Sequence, residues 1–240
     1  MSKSYKPTYF DSVEEYFSKV DVYSKIVRNN YMFHGEIFAA LANFIQKIYR
    51  DKPFSLLDLG CGNAFFMAHT LQNTKIQSYT ACDLSPEIIE EAKKNMACVN
   101  CNKNFVTGDL SKDFLSSNNR KKYDLIWSSY ALHHLSLNDK EKFFKKCYKF
   151  LNPGSYFILV DFVNDFSSRD KCMKNYKELV EKNWTALTNQ DKEYLYDHVL
   201  NFDFPESILK YNQIALSVGF KKLDKPFQKG PWAYMVFETV

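Results

Sequence analysis

No apolar run in this chain approaches the length of a membrane span, and the opening stretch MSKSYKPTYFDSVEEYF carries acids and tyrosines where a secretory signal would have an apolar centre. A cytoplasmic, soluble protein without a membrane partner is expected. A dense basic block is missing too. The formal charge of +4 comes mostly from lysines scattered over the whole length, without the aromatic interleaving of a nucleic-acid tract, so no nucleic-acid partner is expected. Repeats and low-complexity segments are absent. A disulfide framework is excluded by context: Cys61, Cys82, Cys98, Cys101, Cys147 and Cys172 stand in a long, unsignalled chain and read as reduced thiols. Cys98 and Cys101 form a CVNC pair with a metal or redox spacing, but no second ligand pair stands at a partner spacing, so no zinc is expected there.

What is present is ample core material, 45% hydrophobic over 240 residues, enough for one large domain or a domain with a lid. Up to Arg50 the pattern is helical, with Val13, Phe17 and Val20 and then Ile37, Phe38, Leu41, Phe44, Ile45 and Ile48 at helical spacings. From there short apolar runs alternate with helices. The runs are SLLDL (55–59), SYTACD (78–83), NFVTG (104–108), YDLIWSS (123–129) and SYFILVDF (155–162); helices are expected over 63–71, 86–97 and 139–151 and in a short stretch after Ser111. This alternation predicts an α/β fold, a doubly wound, mostly parallel sheet with helices on both faces. A polar, aromatic-dotted helical stretch (167–198) interrupts it. A last helix ends at Gly219, and two closing strands are expected around 221–223 and 232–238.

In a doubly wound sheet, ligands bind at the carboxyl ends of the strands where strand order reverses. The first strand runs into Gly60, Cys61, Gly62 and Asn63, a loop bare enough for a ligand to lie against its backbone. A dinucleotide fingerprint would place a third glycine at position 65, where this chain has Phe65. Asp58, inside the loop, would repel a pyrophosphate and attract an ammonium. Asp83 closes the second strand where an acid accepts ribose hydroxyls, and Asp109 follows Gly108 at the end of the third. An amine, a ribose and a base with an exocyclic donor are the parts of S-adenosylmethionine, the cofactor expected.

The successive motifs LLDLGCGNA, YTACDLS, FVTGDL, YDLIWSSYALHHL and LNPGSYFILVDF, spanning about residues 54–162, resemble those of the class I S-adenosylmethionine-dependent methyltransferases of small-molecule type. The resemblance implies a seven-stranded Rossmann-like sheet. It implies Gly60 and Gly62 against the methionine part of the cofactor and Asp58 near its amino group. Asp83 would hold the ribose, Leu84 would pack on the adenine, Asp109 and the Leu110 amide would read the adenine edge, and Ser128 would sit beside the methionine. Ala64 stands where the family often has a further glycine. The domain reading is an N-terminal helical lid (1–50), a cofactor-binding α/β core (51–162), a helical insertion forming a substrate lid (163–204), and a final helix with closing strands (205–240).

Methyl transfer from a sulfonium needs alignment and a dry pocket, and a base only where the acceptor arrives protonated. Tyr130, His133 and His134, just after the fourth strand, are the candidates for orienting or deprotonating a small-molecule acceptor. His69 reads as a surface or packing residue. No metal is expected: a catechol-type site would need an acid after the fourth strand, where Ser128 and Ser129 stand, and Asp161, Asn164 and Asp165 follow the fifth. The Pro-Pro-aromatic and Pro-Cys signatures of DNA methylating enzymes do not occur. Action on a protein or tRNA would call for an extended basic groove, and an inert sensor or partner subunit would share the cofactor motifs. The aromatic-rich segments 1–50 and 162–204 are expected to close over the substrate.

Overall fold

The five apolar runs form the parallel part of one sheet. Phe54–Leu59 (β1), Ile76–Asp83 (β2), Asn102–Thr107 (β3), Tyr123–Ser129 (β4) and Leu151–Phe162 (β5) lie side by side in the order β3-β2-β1-β4-β5. The structure is a computed structural model, and it describes Val13 and residues 21–116, 121–222 and 227–240. Phe17, Val20 and the rings Tyr5, Tyr9, Phe10 and Tyr16 of the expected lid lie outside the described residues, as does Leu223. Antiparallel to β5 runs Trp232–Glu238 (β8), as expected. Lys221–Lys222 (β6) pairs with one end of β8 and Phe227–Lys229 (β7) with the other. They share one edge position, so the sheet is seven strands wide and mostly parallel, with an outermost strand in two pieces.

Period-two alternation sends neighbouring side chains to opposite faces. Leu56, Leu125, Trp127, Ile158 and Val160 face one layer, and Leu57, Leu59, Ile126, Phe157 and Leu159 the other. The first layer holds Val22–Arg28 (α1), His34–Tyr49 (α2), Phe65–Leu71 (α3) and Pro86–Asn95 (α4). The second holds Leu137–Phe150 (α5) and, numbered in chain order, Ile208–Ser217 (α8). Most of α2 is not a lid. Its Ile37, Leu41 and Ile45 are buried, worth about 2 kcal/mol apiece, and the Tyr49 hydroxyl donates to the Asp124 carbonyl at 2.6 Å.

The single helical stretch expected after Ser167 is two helices, Arg169–Asn183 (α6) and Asn189–Phe202 (α7). A capping box divides them: the Thr188 hydroxyl accepts from the Asp191 amide, and the Asp191 carboxylate accepts from the Thr188 amide. The last helix stops before Gly219, whose φ of +105° ends it. Helix α5 starts two residues early because Ser136 caps it, and α3 two residues late because Ala64 is left-handed (φ 52°). No described helix is long and apolar enough to cross a membrane.

Candidate functional site

Strand order reverses between β1 and β4, and at the carboxyl edge beside that point the expected residues converge. Asp58 is 1% exposed. Its Oδ2 accepts from the Tyr79 hydroxyl at 2.7 Å, while Oδ1 has no hydrogen-bond partner. Burial pushes this carboxyl up to about 7; the Tyr79 bond opposes the shift and the Asp83 charge adds to it. A buried acid with one oxygen unanswered and no cation beside it fits an ammonium arriving from outside. Asp83 takes amide donors from Gly62 at 2.8 Å and Ser85 at 3.3 Å, and burial still holds it above its ordinary value.

The two glycines do different work. A Cβ on Gly60 would lie 2.6 Å from the Ala131 Cβ, so the close approach of the turn after β4 demands this glycine. At Gly62, φ is +52° and nothing stands within 4 Å of the corresponding position. Gly62 is the bare backbone a ligand can approach. Cys61 and Asn63 are occupied locally: the Cys61 thiol lies 3.3 Å from the Gly62 carbonyl, and the Asn63 side chain accepts from the Phe65 amide at 3.2 Å. Leu84 is half-buried beside Asp83.

Gly108 donates to the Asp83 carbonyl at 2.9 Å and brings Asp109 to the same edge. One Asp109 oxygen caps the turn Leu110–Phe114, accepting from the Ser111 amide and hydroxyl at 2.6 Å. Burial acts to raise this carboxyl, but those bonds and Lys112 hold it below its ordinary value. Leu110 is half-buried on that turn. Ser128 is fully buried and donates to the Leu59 carbonyl at 2.7 Å, so its hydroxyl ties β4 to β1.

The three catalytic candidates separate. Tyr130 is left-handed (φ 55°), a conformation strained for a residue with a side chain, and its phenol donates to the Met32 carbonyl. Burial raises that phenol well above its ordinary value. His133 is buried, with Nδ1 2.6 Å from Asp161 Oδ1 and Nε2 3.8 Å from Asp203 Oδ1. Burial works against its protonation, but the Asp203 and Asp161 charges outweigh it and raise the imidazole. His134, half-buried, has Nδ1 3.1 Å from the same Asp203 oxygen. Asp203 also meets His198 Nε2 at 3.5 Å and is pulled well below its ordinary value by these imidazoles, His133 foremost, against the effect of burial. His198 is pushed down to about 3 by burial, against the pull of the Asp203 charge. The Tyr211 hydroxyl donates to Asp161 Oδ2 at 2.5 Å.

Residues 56–154 match the family described as "Methyltransferase domain". This stretch of the core is similar to methyltransferase domains. Among curated relatives, phosphoethanolamine N-methyltransferase of Plasmodium falciparum is 28% identical over 174 residues, 72% of this chain and 62% of that protein. Malonyl-[acyl-carrier protein] O-methyltransferase 1 of Ilyobacter polytropus is 28% identical over 145 residues, 60% of this chain and 47% of that protein. The chain thus spans less than two thirds of the length of either. Among solved structures, the plantazolicin methyltransferase BpumL in complex with SAH superposes with a TM-score of 0.66 at 17% identity, covering 95% of this chain and 93% of that one, which shows a shared fold.

Around this core, the described part of the N-terminal segment reaches the same edge. The Tyr23 hydroxyl lies 3.2 Å from His34 Nε2, and its phenol is raised by burial and by the charge of Asp83. His34 Nδ1 is buried without a hydrogen-bond partner, and burial lowers this imidazole to about 4. Tyr31 stacks on Trp184 (5.1 Å between centroids, planes 4° apart), and Trp184 on Trp232 at 6.1 Å. Lys25 pairs with Asp191 at 2.8 Å. Most described rings here are packing. His34, Asp203 and His198 carry no sequence signal, since Tyr130, His133 and His134, which they meet at the sheet edge, lie far along the chain from them. His69 is exposed against the Phe65 carbonyl, and all six cysteines are free.

Proposed function

We propose that the chain transfers a methyl group from S-adenosylmethionine to an O, N or other nucleophilic atom of a small molecule. The observation that carries this reading is the unpartnered, buried Oδ1 of Asp58 beneath the open backbone at Gly62. There Asp58 would hold the ammonium of the methionine part, Asp83 the ribose hydroxyls, and Leu84, Asp109 and Leu110 the adenine. The cofactor brings an activated methyl group to in-line displacement, which by itself calls for no metal. The chain's share is alignment and exclusion of water.

The geometry favours positioning over proton transfer after β4. Tyr130 is committed to Met32, and His133 is held between two carboxylates. His134, more exposed than His133, is the candidate to orient an acceptor at the mouth. The relatives named above act, by name, on an amine and on a malonyl carrier protein, so acceptor class is the property to assay. Six free cysteines fit a reducing compartment, and the cytoplasm is the location proposed.

Melting in the presence of ligands tests the reading. S-adenosylmethionine or S-adenosylhomocysteine at a hundredfold excess over Kd should add about 2.7 kcal/mol of stability, while NAD adds none. No shift at millimolar concentration of either would sink it.

A further inference from the structure

Three imidazoles surround one buried oxygen. Asp203 Oδ1 has His134 Nδ1 at 3.1 Å, His198 Nε2 at 3.5 Å and His133 Nε2 at 3.8 Å, and one donor atom from each of His133, His134 and Asp203 lies within 4.8 Å of the others. Ligands on a zinc-type ion, with bonds of about 2.0 to 2.2 Å at tetrahedral angles, stand about 3.3 Å apart. Asp203 is 4% exposed, so the oxygen these imidazoles surround is shielded from solvent. We propose that His133, His134 and Asp203, with His198 beside them, bind a divalent transition-metal ion of the zinc class.

The surroundings are those of a built site. A histidine ligand almost always donates its second ring nitrogen to a carboxylate or carbonyl that fixes its tautomer and orientation. His133 Nδ1 does so to Asp161 at 2.6 Å, and Tyr211 holds Asp161 in turn. Nitrogen donors with a single carboxylate suit zinc, cobalt or nickel rather than magnesium or calcium. Lys140 is the charge that acts against a cation: its ammonium donates to the Leu135 carbonyl at 2.8 Å and to the Phe204 carbonyl at 2.5 Å. Asp161 and Asp203 together outweigh it.

The donors come from two segments. His133 and His134 lie on the short turn after β4, while His198 is on α7 and Asp203 caps its end. An ion there fastens the helical insertion to the carboxyl edge of the sheet. The cluster is closed, with His133, His198 and Asp203 all 4 to 5% exposed, as structural sites are. CVNC offers no such set, and the sequence reading, which looks for ligands at local spacings, expects no metal.

The rival occupant is a proton: an imidazolium between Asp161 and Asp203 would hold the same atoms together. The two are separated with tag-free protein, treated with a chelator, dialysed, and titrated with cobalt(II). Metal binding predicts a saturable visible d–d absorption at one equivalent, displaced by zinc, and a melting temperature that rises with either ion. H134Q should weaken the binding about tenfold or more, while H69Q, on the exposed face of α3, leaves it unchanged. If the wild-type protein gives no band and takes up no zinc in competition with a micromolar indicator, the proposal is overturned whether or not H134Q folds. A band that survives undiminished in folded H134Q overturns it equally.

Discussion

Asp58 and Asp203 are both buried carboxylates at the carboxyl edge of one sheet, and their surroundings are opposite. Burial alone dominates at Asp58, which is pushed up to about 7 and keeps one oxygen unanswered. At Asp203 three imidazoles outweigh the same burial and pull the carboxyl far down. Among the described residues no cation pairs with the first acid. The second stands among imidazoles that the chain itself supplies. Depth of burial does not separate the two carboxylates; the groups that face each of them do.

The sharpest way to break that contrast is to make the same substitution at both places. Asp203→Asn leaves buried imidazoles uncompensated and should cost about 3 kcal/mol, as removing one partner of a buried ion pair does. For a chain of this size that is a fall in Tm of about 6 to 12 °C. Asp58→Asn removes a burial penalty with no paired cation, and its Tm should stay level or rise at pH 8. Equal losses of Tm would erase the distinction.

Next in size is the effect of Asp58→Asn on the ligand. Losing a charge-assisted hydrogen bond of about 1.5 to 3 kcal/mol should weaken S-adenosylhomocysteine by roughly 10- to 150-fold in calorimetry. Unchanged affinity would place the ammonium elsewhere.

The pH dependence follows from the same acid. Its folded-state value lies above the unfolded one, so the folded chain holds the proton more tightly, and the stability of the unliganded protein falls as pH rises from about 4 to about 7. An ammonium needs the ionised form, so affinity should climb about tenfold between pH 6 and pH 8, and this climb should vanish in Asp58→Asn. A slope that persists in the variant would assign it to another group.

The smallest effect lies away from both acids. Lys25 is 38% exposed and reaches across to Asp191, so Lys25→Ala should cost under about 1 kcal/mol and leave cofactor affinity unchanged. A larger loss on melting would show that the two covering segments rest on this pair.

The glycine loop and its acids were legible as a cluster at one sheet edge because their signals are local: Asp58, Gly60, Gly62 and Asp83 fall within one strand-loop-helix-strand unit whose period shifts from two to 3.6 and back. Roles within it were less so. Nothing in the sequence says that Gly60 answers to Ala131, or that the Ser128 hydroxyl turns to Leu59, because both contacts join separate strands. Helix α2 read as a lid since an amphipathic, ring-bearing helix has the same pattern whichever surface it covers. The piece β7 is too short for alternation to show, whereas β6 falls within the closing strand expected around 221–223. His133 and His134 were visible as a pair, but their partners Asp161 and Asp203 arrive from segments 28 and about 70 residues on.

Trp184 lies between Tyr31 and Trp232 like a card in a deck, with the insertion supplying the middle ring and the N-terminal segment and the closing strand the outer two. The Ala186 amide also donates to the Tyr31 hydroxyl at 2.8 Å. A fluctuation that lifts either covering segment therefore bares a face of the same indole and gives up its contacts. The N-terminal segment and the insertion are thereby tied to one indole, as they are to each other through Lys25 and Asp191. Tryptophan emission, compared between the wild type and Trp184→Phe, would report a separation of these segments.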